Sequence, residues 1–157
     1  MDDLSIFDSV DFINDPNGFI DKIESSLIEY NPADCPVTHR FTEGMYIREI
    51  FIPQGTILTS MEHKTEHPFV VSMGQIAVIS ANEDKVIYSA PFTGITKPKT
   101  RRVLYAIKDT IWTTFHVTDK MDVEEIGSDI LEQHSNRLLE NGDQRLNQWK
   151  KQTLNIQ

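Results

Sequence analysis

The sequence predicts a mainly β fold, a small all-β barrel or sandwich with helices at its two ends. From about residue 41 to residue 118, short apolar and β-branched runs are separated by turn-forming residues. The turns recur roughly every 8–12 positions, a spacing typical of small barrels and sandwiches. Helical periodicity is confined to the ends of the chain. The runs leave no room for crossover helices between them, so a parallel sheet is excluded.

The first predicted helix begins at Asp15-Pro16, where a capping residue precedes a proline at the first helical position. Apolar residues then recur at helical spacing: Ile20, Ile23, Leu27 and Tyr30. One stripe of this helix is therefore apolar and must rest on another surface. Asn31-Pro32 ends the helix, and residues 1–34 form an acidic N-terminal arm.

Eight strands are predicted in the middle of the chain, which we assign to a β-barrel domain spanning residues 35–118. Turn formers such as Pro53-Gln54-Gly55 and Lys108-Asp109 separate them. The predicted strands are Tyr46–Ile52, Thr56–Met61, Phe69–Met73, Gln75–Ser80, Val86–Ser89, Phe92–Thr96, Arg102–Ile107 and Thr110–Val117.

Residues 119–157 form a predicted C-terminal helical tail. Val123, Ile126 and Ile130 lie at helical spacing, and Gly142 stands where a helix C-cap is expected. A second short amphipathic piece around Trp149 follows. We expect it to contact a protein partner, because aromatic anchors dominate interface energetics.

Charge and composition exclude several classes of function. Residues 1–34 hold nine acidic residues and one basic residue, whereas residues 35–118 hold seven acidic and nine basic residues. An acidic arm repels phosphate backbones, so direct nucleic-acid binding is not expected, and a basic patch on a protein partner suits it better. No apolar run approaches the ~20 residues that span a bilayer. Cys35 is the single cysteine and no secretory signal opens the chain, which favours a reducing compartment.

The candidate site residues are three histidines and two charged side chains. His63 and His67 lie four residues apart and share a face if one regular strand contains both. His116 ends the last predicted strand and can supply a third nitrogen. A site of three histidines with open positions suits one divalent transition metal, such as Fe, Mn, Ni or Zn. The alternative is that the three rings hydrogen-bond to each other and to nearby threonines.

Arg102 is the candidate for binding an anionic ligand. It follows a proline turn at the start of a strand, so either Arg101 or Arg102 points inward. A buried guanidinium must be paired or bind an anion, since burying it alone is costly. The partner is either a small carboxylate or phosphate, or an internal acid such as Glu49 or Glu66. No nucleophile constellation or phosphate loop is present, and we assign no catalytic residue.

The stretch from Gly55 to Gly74 resembles the first motif of the cupins, which are small double-sheet jelly-roll barrels. Gly55, His63 and Gly74 keep the motif's spacing, while Met61 replaces its first histidine and His67 replaces its glutamate. The second cupin motif is reduced to the Pro98 turn, and Arg102 or Val103 falls at its histidine position. The resemblance implies a cupin-type jelly roll whose metal site is altered, and cupins range from metalloenzymes to structural proteins.

A closer resemblance is to short cupin-like proteins of tailed phages. The segments that carry it are Arg48–Pro53, His63–His67, Thr100–Arg102 and Trp112–His116. This resemblance is specific for the fold. The altered metal motif, the helical flanks and the acidic arm favour a structural or accessory role, associated with the virion or its assembly, with the barrel as scaffold and the helical ends docking protein partners. The protein would then be located in the host cytoplasm or the virion. We also expect a homo-oligomer, because an unprotected sheet edge is a liability. The alternatives are a metal-dependent cupin enzyme, of oxygenase or isomerase class, and a non-catalytic barrel that binds a small anion.

Overall fold

The computed structural model of the protein describes residues 14–27, 33–80 and 83–130. Within these residues, two helices flank nine strands. Helix α1 is Pro16–Leu27 and helix α2 is Val123–Ile130. The strands are β1 (Val37–Thr42), β2 (Met45–Ile52), β3 (Ile57–Thr59), β4 (His67–Met73), β5 (Gln75–Ser80), β6 (Glu83–Ser89), β7 (Phe92–Thr96), β8 (Arg102–Ala106) and β9 (Thr110–Val117). The acidic residues before position 14 and the C-terminal tail after residue 130, which includes Trp149, lie outside the described residues.

The strands form two sheets in the order of a jelly roll. The five-stranded sheet runs β1-β2-β9-β4-β7, and the four-stranded sheet runs β3-β8-β5-β6. Apart from β1-β2 and the β5-β6 hairpin, each strand is followed by a strand of the other sheet. All recorded strand pairs are antiparallel. The predicted mainly β jelly roll with flanking helices is therefore confirmed.

Strands β1 and β3 differ from the sequence prediction, and strands β4 and β6 begin two and three residues earlier than predicted, at His67 and Glu83. Strand β1, at the edge of the larger sheet, was not predicted, although it pairs with β2 along its whole length. Strand β3 is limited to Ile57–Thr59, shorter than the predicted Thr56–Met61. The chain therefore leaves the sheet before His63, and this histidine does not share a regular strand with His67. The condition under which strand alternation would place both histidines on one face is therefore not met.

The glycines at the two ends of the histidine segment shape its turns. Gly55 and Gly74 have φ angles of +82° and +89°, which favour glycine. A side chain at Gly74 would also collide with the backbone carbonyl of Asp109. The β4-β5 turn can therefore approach the β8-β9 turn closely only with glycine at this position.

The main core lies between the two sheets. Phe69 is 1% exposed, and its ring stacks on Trp112 with centroids 4.4 Å apart. The buried members of this cluster are Ile50, Ile52, Phe69, Val71, Ile76, Val78, Leu104, Ala106 and Trp112. Their burial supplies the main driving force for closing the two sheets on each other.

Both helices pack on the barrel. The Asp15 carboxylate caps α1 by accepting a hydrogen bond of 3.1 Å from the Gly18 amide, as the sequence predicted. The apolar stripe of α1 then rests on the smaller sheet through Phe19 and Ile20, which pack with Ile79 and Val103.

Helix α2 places Ile126 and Ile130 against Tyr46 of strand β2. Two hydrogen bonds add to this contact. The Lys64 amide donates to the Ile130 carbonyl at 2.8 Å, and the Thr118 hydroxyl donates to Asp129 at 3.0 Å. In the described part of the chain, neither helix is long and apolar enough to cross a membrane.

Candidate metal centre in the barrel cavity

A cavity of about 160 Å³ lies between the sheets and is lined by residues of both sheets and both helices. Its apolar wall includes Ile50, Leu104 and Trp112. Three histidines also line it: His63, His67 and His116. The cavity therefore joins an apolar surface to a group of nitrogen ligands.

His116 is presented by the regular alternation of strand β9. It shares its face with Trp112 and Thr114, and all three side chains line the cavity. The imidazole is 2% exposed, and its Nε2 lies 2.9 Å from the Thr114 hydroxyl. Its Nδ1 is buried and has no hydrogen-bond partner in the described structure. If Nε2 carries the proton, Nδ1 presents an unused lone pair to the cavity.

His67 opens strand β4 and is 3% exposed. Its Nδ1 lies 3.4 Å from the carbonyl oxygen of Thr65. A protonated Nδ1 donates to this carbonyl and leaves Nε2 as the ligand atom. A backbone carbonyl on the other ring nitrogen is the usual arrangement for a histidine that binds metal.

His63 reaches the cavity from the connection between β3 and β4. Its carbonyl accepts a hydrogen bond of 2.9 Å from the Lys99 amide, which ties this connection to the turn before β8. The ring centroid lies 4.4 Å from that of His67 and 5.1 Å from that of His116. The predicted convergence of the three histidines is therefore seen, although an irregular segment positions His63.

The electrostatics of the cavity keep the three histidines neutral. Burial lowers the pKa of His63 to about 2, with His67, His116 and Arg48 adding to the effect. The pKa of His116 falls to about 3, again chiefly through burial. Burial also lowers the pKa of His67. A neutral imidazole is the form that binds metal, so no proton has to be displaced at neutral pH.

The three ligand atoms fit one metal ion after a small movement. They all lie within 4.8 Å of one another. Two nitrogens about 2.1 Å from a shared ion can be no more than about 4.2 Å apart, so the rings must move inward slightly. The partnerless Nδ1 of His116 is a second sign of fit, because buried polar atoms normally have a partner. Three protein ligands leave coordination positions open.

Arg102 lies in the same cavity, and the neighbouring Arg101 does not line it. The Arg102 side chain is 5% exposed, and its Nη1 donates to the Thr96 hydroxyl at 2.9 Å. Its guanidinium carbon lies 5.3 Å from the ring centroid of Phe69. Its Nε is buried and has no hydrogen-bond partner among the described residues.

The two acids considered as partners of Arg102 lie elsewhere. The Glu49 carboxylate is 3.6 Å from Arg40, across the β1-β2 pair, and does not line the cavity. Glu66 is exposed. The internal salt bridge expected for Arg102 is therefore not formed with either residue. The physical reason is strand alternation, which turns Glu49 away from the face that carries Arg48 and Ile50.

Arg48 and Cys35 are among the cavity residues that were not predicted from the sequence. Arg48 lines the cavity from β2, where Tyr46, Arg48, Ile50 and Ile52 share a face. Strand alternation could have placed Arg48 in the cavity. Residues two apart on a strand share a face, so Arg48 must point inward if Ile50 and Ile52 do. Cys35 also lines the cavity, and burial raises the pKa of its thiol to about 11. It therefore stays protonated at neutral pH and is a poor nucleophile.

Comparisons with known proteins return similar structures only. No family model matches the sequence, and no curated protein matches it. A cupin superfamily protein from Desulfitobacterium hafniense is similar at a TM-score of 0.48 and 10% identity, covering 60% of this chain and 87% of that one. An RmlC-like cupin family protein with a double-stranded β-helix fold from Methanocaldococcus jannaschii has a TM-score of 0.43 and 14% identity, covering 55% and 83%.

An acetylacetone dioxygenase from Acinetobacter johnsonii is also similar, at a TM-score of 0.47 and 11% identity, covering 55% of this chain and 61% of that one. The solved structures that resemble this chain therefore include cupin superfamily proteins. The jelly-roll assignment itself rests on the strand order and pairing of the two sheets.

Proposed function

We propose that this protein is a metal-binding, cupin-type barrel that holds one divalent transition metal at His63, His67 and His116. The observation that carries the proposal is the convergence of three neutral imidazoles, two of them buried and that of His63 half-buried, on one point of the cavity. Bringing three such rings together without a shared partner leaves the Nδ1 of His116 unsatisfied. A metal ion would satisfy all three at once.

The surrounding residues support this role. The Thr65 carbonyl and the Thr114 hydroxyl lie beside the second nitrogens of His67 and His116, and would orient both rings. The apolar wall formed by residues such as Ile50, Leu104 and Trp112 limits the access of water. A bound divalent metal would supply Lewis-acid chemistry, polarising a small molecule held at its open positions.

The structural or accessory phage role stays a prediction. It depends on docking by the acidic arm and the C-terminal tail, and residues 1–13 and 131–157 lie outside the described structure. The described helices, by contrast, rest on the barrel itself. A metal centre is compatible with either a catalytic or an accessory role.

Elemental analysis of untagged protein, reconstituted separately with Fe²⁺, Mn²⁺, Ni²⁺ or Zn²⁺, tests the proposal. We expect roughly one ion per chain, falling to background in a His67→Gln/His116→Gln double variant. His39→Gln is the matched control, because His39 is a histidine of strand β1 that does not line the cavity. Thr114→Val removes a neighbour of a proposed ligand and should weaken binding by about 10- to 100-fold.

Two results would reject the metal centre. One is wild-type protein that takes up no stoichiometric ion under any of the four conditions. The other is a double variant that binds as much metal as the His39→Gln control. Circular dichroism of each variant confirms that the barrel is still folded.

A further inference from the structure

Two adjacent arginines have opposite surroundings. Arg101 faces helix α1 and the connection before β4, where three carboxylates contact its guanidinium. These are Asp21 at 2.8 Å, Glu24 at 3.2 Å and Glu62 at 3.7 Å. Its charge is therefore balanced by the protein itself.

Arg102 points the other way, into the cavity. Within residues 14–27, 33–80 and 83–130, it forms no ion pair with an acidic side chain. Its Nη1 donates a hydrogen bond to the Thr96 hydroxyl, and the Phe69 ring covers one face of the guanidinium. Among the described residues, neither Nε nor Nη2 has a hydrogen-bond partner. These two atoms form the edge of a guanidinium that binds a carboxylate through two parallel hydrogen bonds. Because the guanidinium stays charged at any ordinary pH, burying it unpaired is costly.

The position of Arg102 connects it to the histidine cluster. Thr96, which accepts from Arg102, is the register partner of His67 on the neighbouring strand. Both Arg102 and His67 line the same cavity. Glu24 is the only acidic residue among its described walls, and its carboxylate pairs with Arg101. A small anion entering the cavity would therefore meet a free cationic edge beside the proposed metal centre.

The cavity limits the size and charge of that anion. Its volume of about 160 Å³ is close to that of an engineered apolar cavity of roughly 150 Å³ that holds benzene. The apolar wall disfavours a dianion, because each charge taken from water must be compensated. A monocarboxylate with a compact apolar body satisfies both conditions, because its single charge matches one edge of the Arg102 guanidinium and its body matches the apolar wall.

We propose that Arg102 is the anion-binding residue of the cavity and holds the carboxylate of a small, apolar organic acid next to the histidine cluster. The inference rests on the proposed function in treating this cavity as the ligand site. It does not require the metal to be bound. Arg48, which also lines the cavity, adds positive charge to it.

Calorimetric titration with benzoate and with its neutral isostere benzamide tests this inference. Both are titrated into full-length protein, once stripped of metal by a chelator and once loaded. We expect metal-free protein to bind benzoate about 10-fold or more tighter than benzamide, the range of a hydrogen bond to a charged group. Arg102→Gln should abolish the preference, Arg102→Lys should retain part of it, and Arg40→Gln should leave it unchanged. Arg40 is the matched control because its 55% exposed side chain loses the same charge at the surface.

The outcomes separate this inference from the metal centre. Equal binding of benzoate and benzamide, or no benzoate binding by wild-type protein, overturns the role of Arg102 even if the metal stoichiometry is one. Benzoate binding that needs metal and survives Arg102→Gln also overturns it, because the anion then binds the ion instead. Preferential benzoate binding that Arg102→Gln removes, in protein that takes up no metal, supports Arg102 and rejects the metal centre alone.

Discussion

The outer surface of the smaller sheet and the inner wall of the cavity treat charge in opposite ways. At the outer seam, defined here as Arg101 with Asp21, Glu24 and Glu62, one cation meets three carboxylates. The inner wall is defined as Arg102 and the three histidines. None of these four side chains forms an ion pair with an acidic side chain among the described residues. Balanced charge fastens a helix to the barrel. The inner wall leaves buried nitrogen atoms without a hydrogen-bond partner in the described structure, on Arg102 and on His116, and this is the basis of both proposals.

The largest expected effect concerns protonation of the inner wall. His63 and His116 have folded pKa values of about 2 and about 3, against 6.5 when unperturbed. Below pH 6.5 the unfolded chain therefore binds more protons, so stability falls as the pH falls toward 3. Each histidine contributes about 1.4 kcal/mol per pH unit, and the pair up to about 4 kcal/mol at pH 5.

Urea unfolding of metal-free protein between pH 8 and pH 4 measures this effect. A His63→Gln/His116→Gln variant is the reference, because it keeps all carboxylates and loses only the two imidazoles. The wild-type curve should fall more steeply below pH 6.5. Parallel curves would show that the two rings titrate normally and that the inner wall accepts protons readily.

The second effect compares the two adjacent arginines directly. Arg101→Met leaves the buried Glu24 without its cation, and should lower the free energy of unfolding by about 2–3 kcal/mol. Arg102→Met removes an unpaired buried charge while keeping an apolar stem on Phe69, so stability should stay the same or rise by up to about 1 kcal/mol. Both values come from urea unfolding of metal-free protein at pH 7. An equal loss of unfolding free energy in the two variants would show that Arg101 at the outer seam and Arg102 at the inner wall do not differ in how their charge is compensated.

The smallest effect is expected at the Arg40–Glu49 pair. Its charged atoms are 3.6 Å apart, and the side chains are 55% and 34% exposed. A double-mutant cycle with Arg40→Gln and Glu49→Gln should give a coupling below about 0.5 kcal/mol. A larger coupling would indicate that the edge strand β1 is fastened by this pair, as α1 is by Arg101.

Local patterns in the sequence were sufficient for most of the fold. Turn formers and β-branched runs located the strands from β2 to β9, because these signals act within a few residues. Strand β1 was not predicted, although Val37, His39 and Phe41 alternate with other residues and precede a short turn at Gly44. This alternation is a usable signal for an edge strand.

The site was harder to predict because long-range contacts decide it. The His63 ring is placed by a connection tied to Lys99 and to helix α2, and strand parity has no bearing on such a segment. The partner of Arg102 was expected to be a bound carboxylate or phosphate or an internal acid, and the described protein residues supply Thr96 and the face of Phe69 instead of an internal acid. Which buried charge receives an internal counterion depends on which side of the sheet faces α1. Sequence spacing does not contain that information.

The walls of the cavity come from distant parts of the chain, since Glu24 of α1 and Ile130 of α2 both line it. Any ligand that prefers the enclosed cavity must therefore strengthen the docking of both helices, by thermodynamic linkage. A chain shortened to residues 35–118 would keep every proposed metal ligand but lose the parts of the cavity wall that the two helices supply. Ligand affinities measured on such a fragment would therefore describe a more open cavity than that of the whole chain.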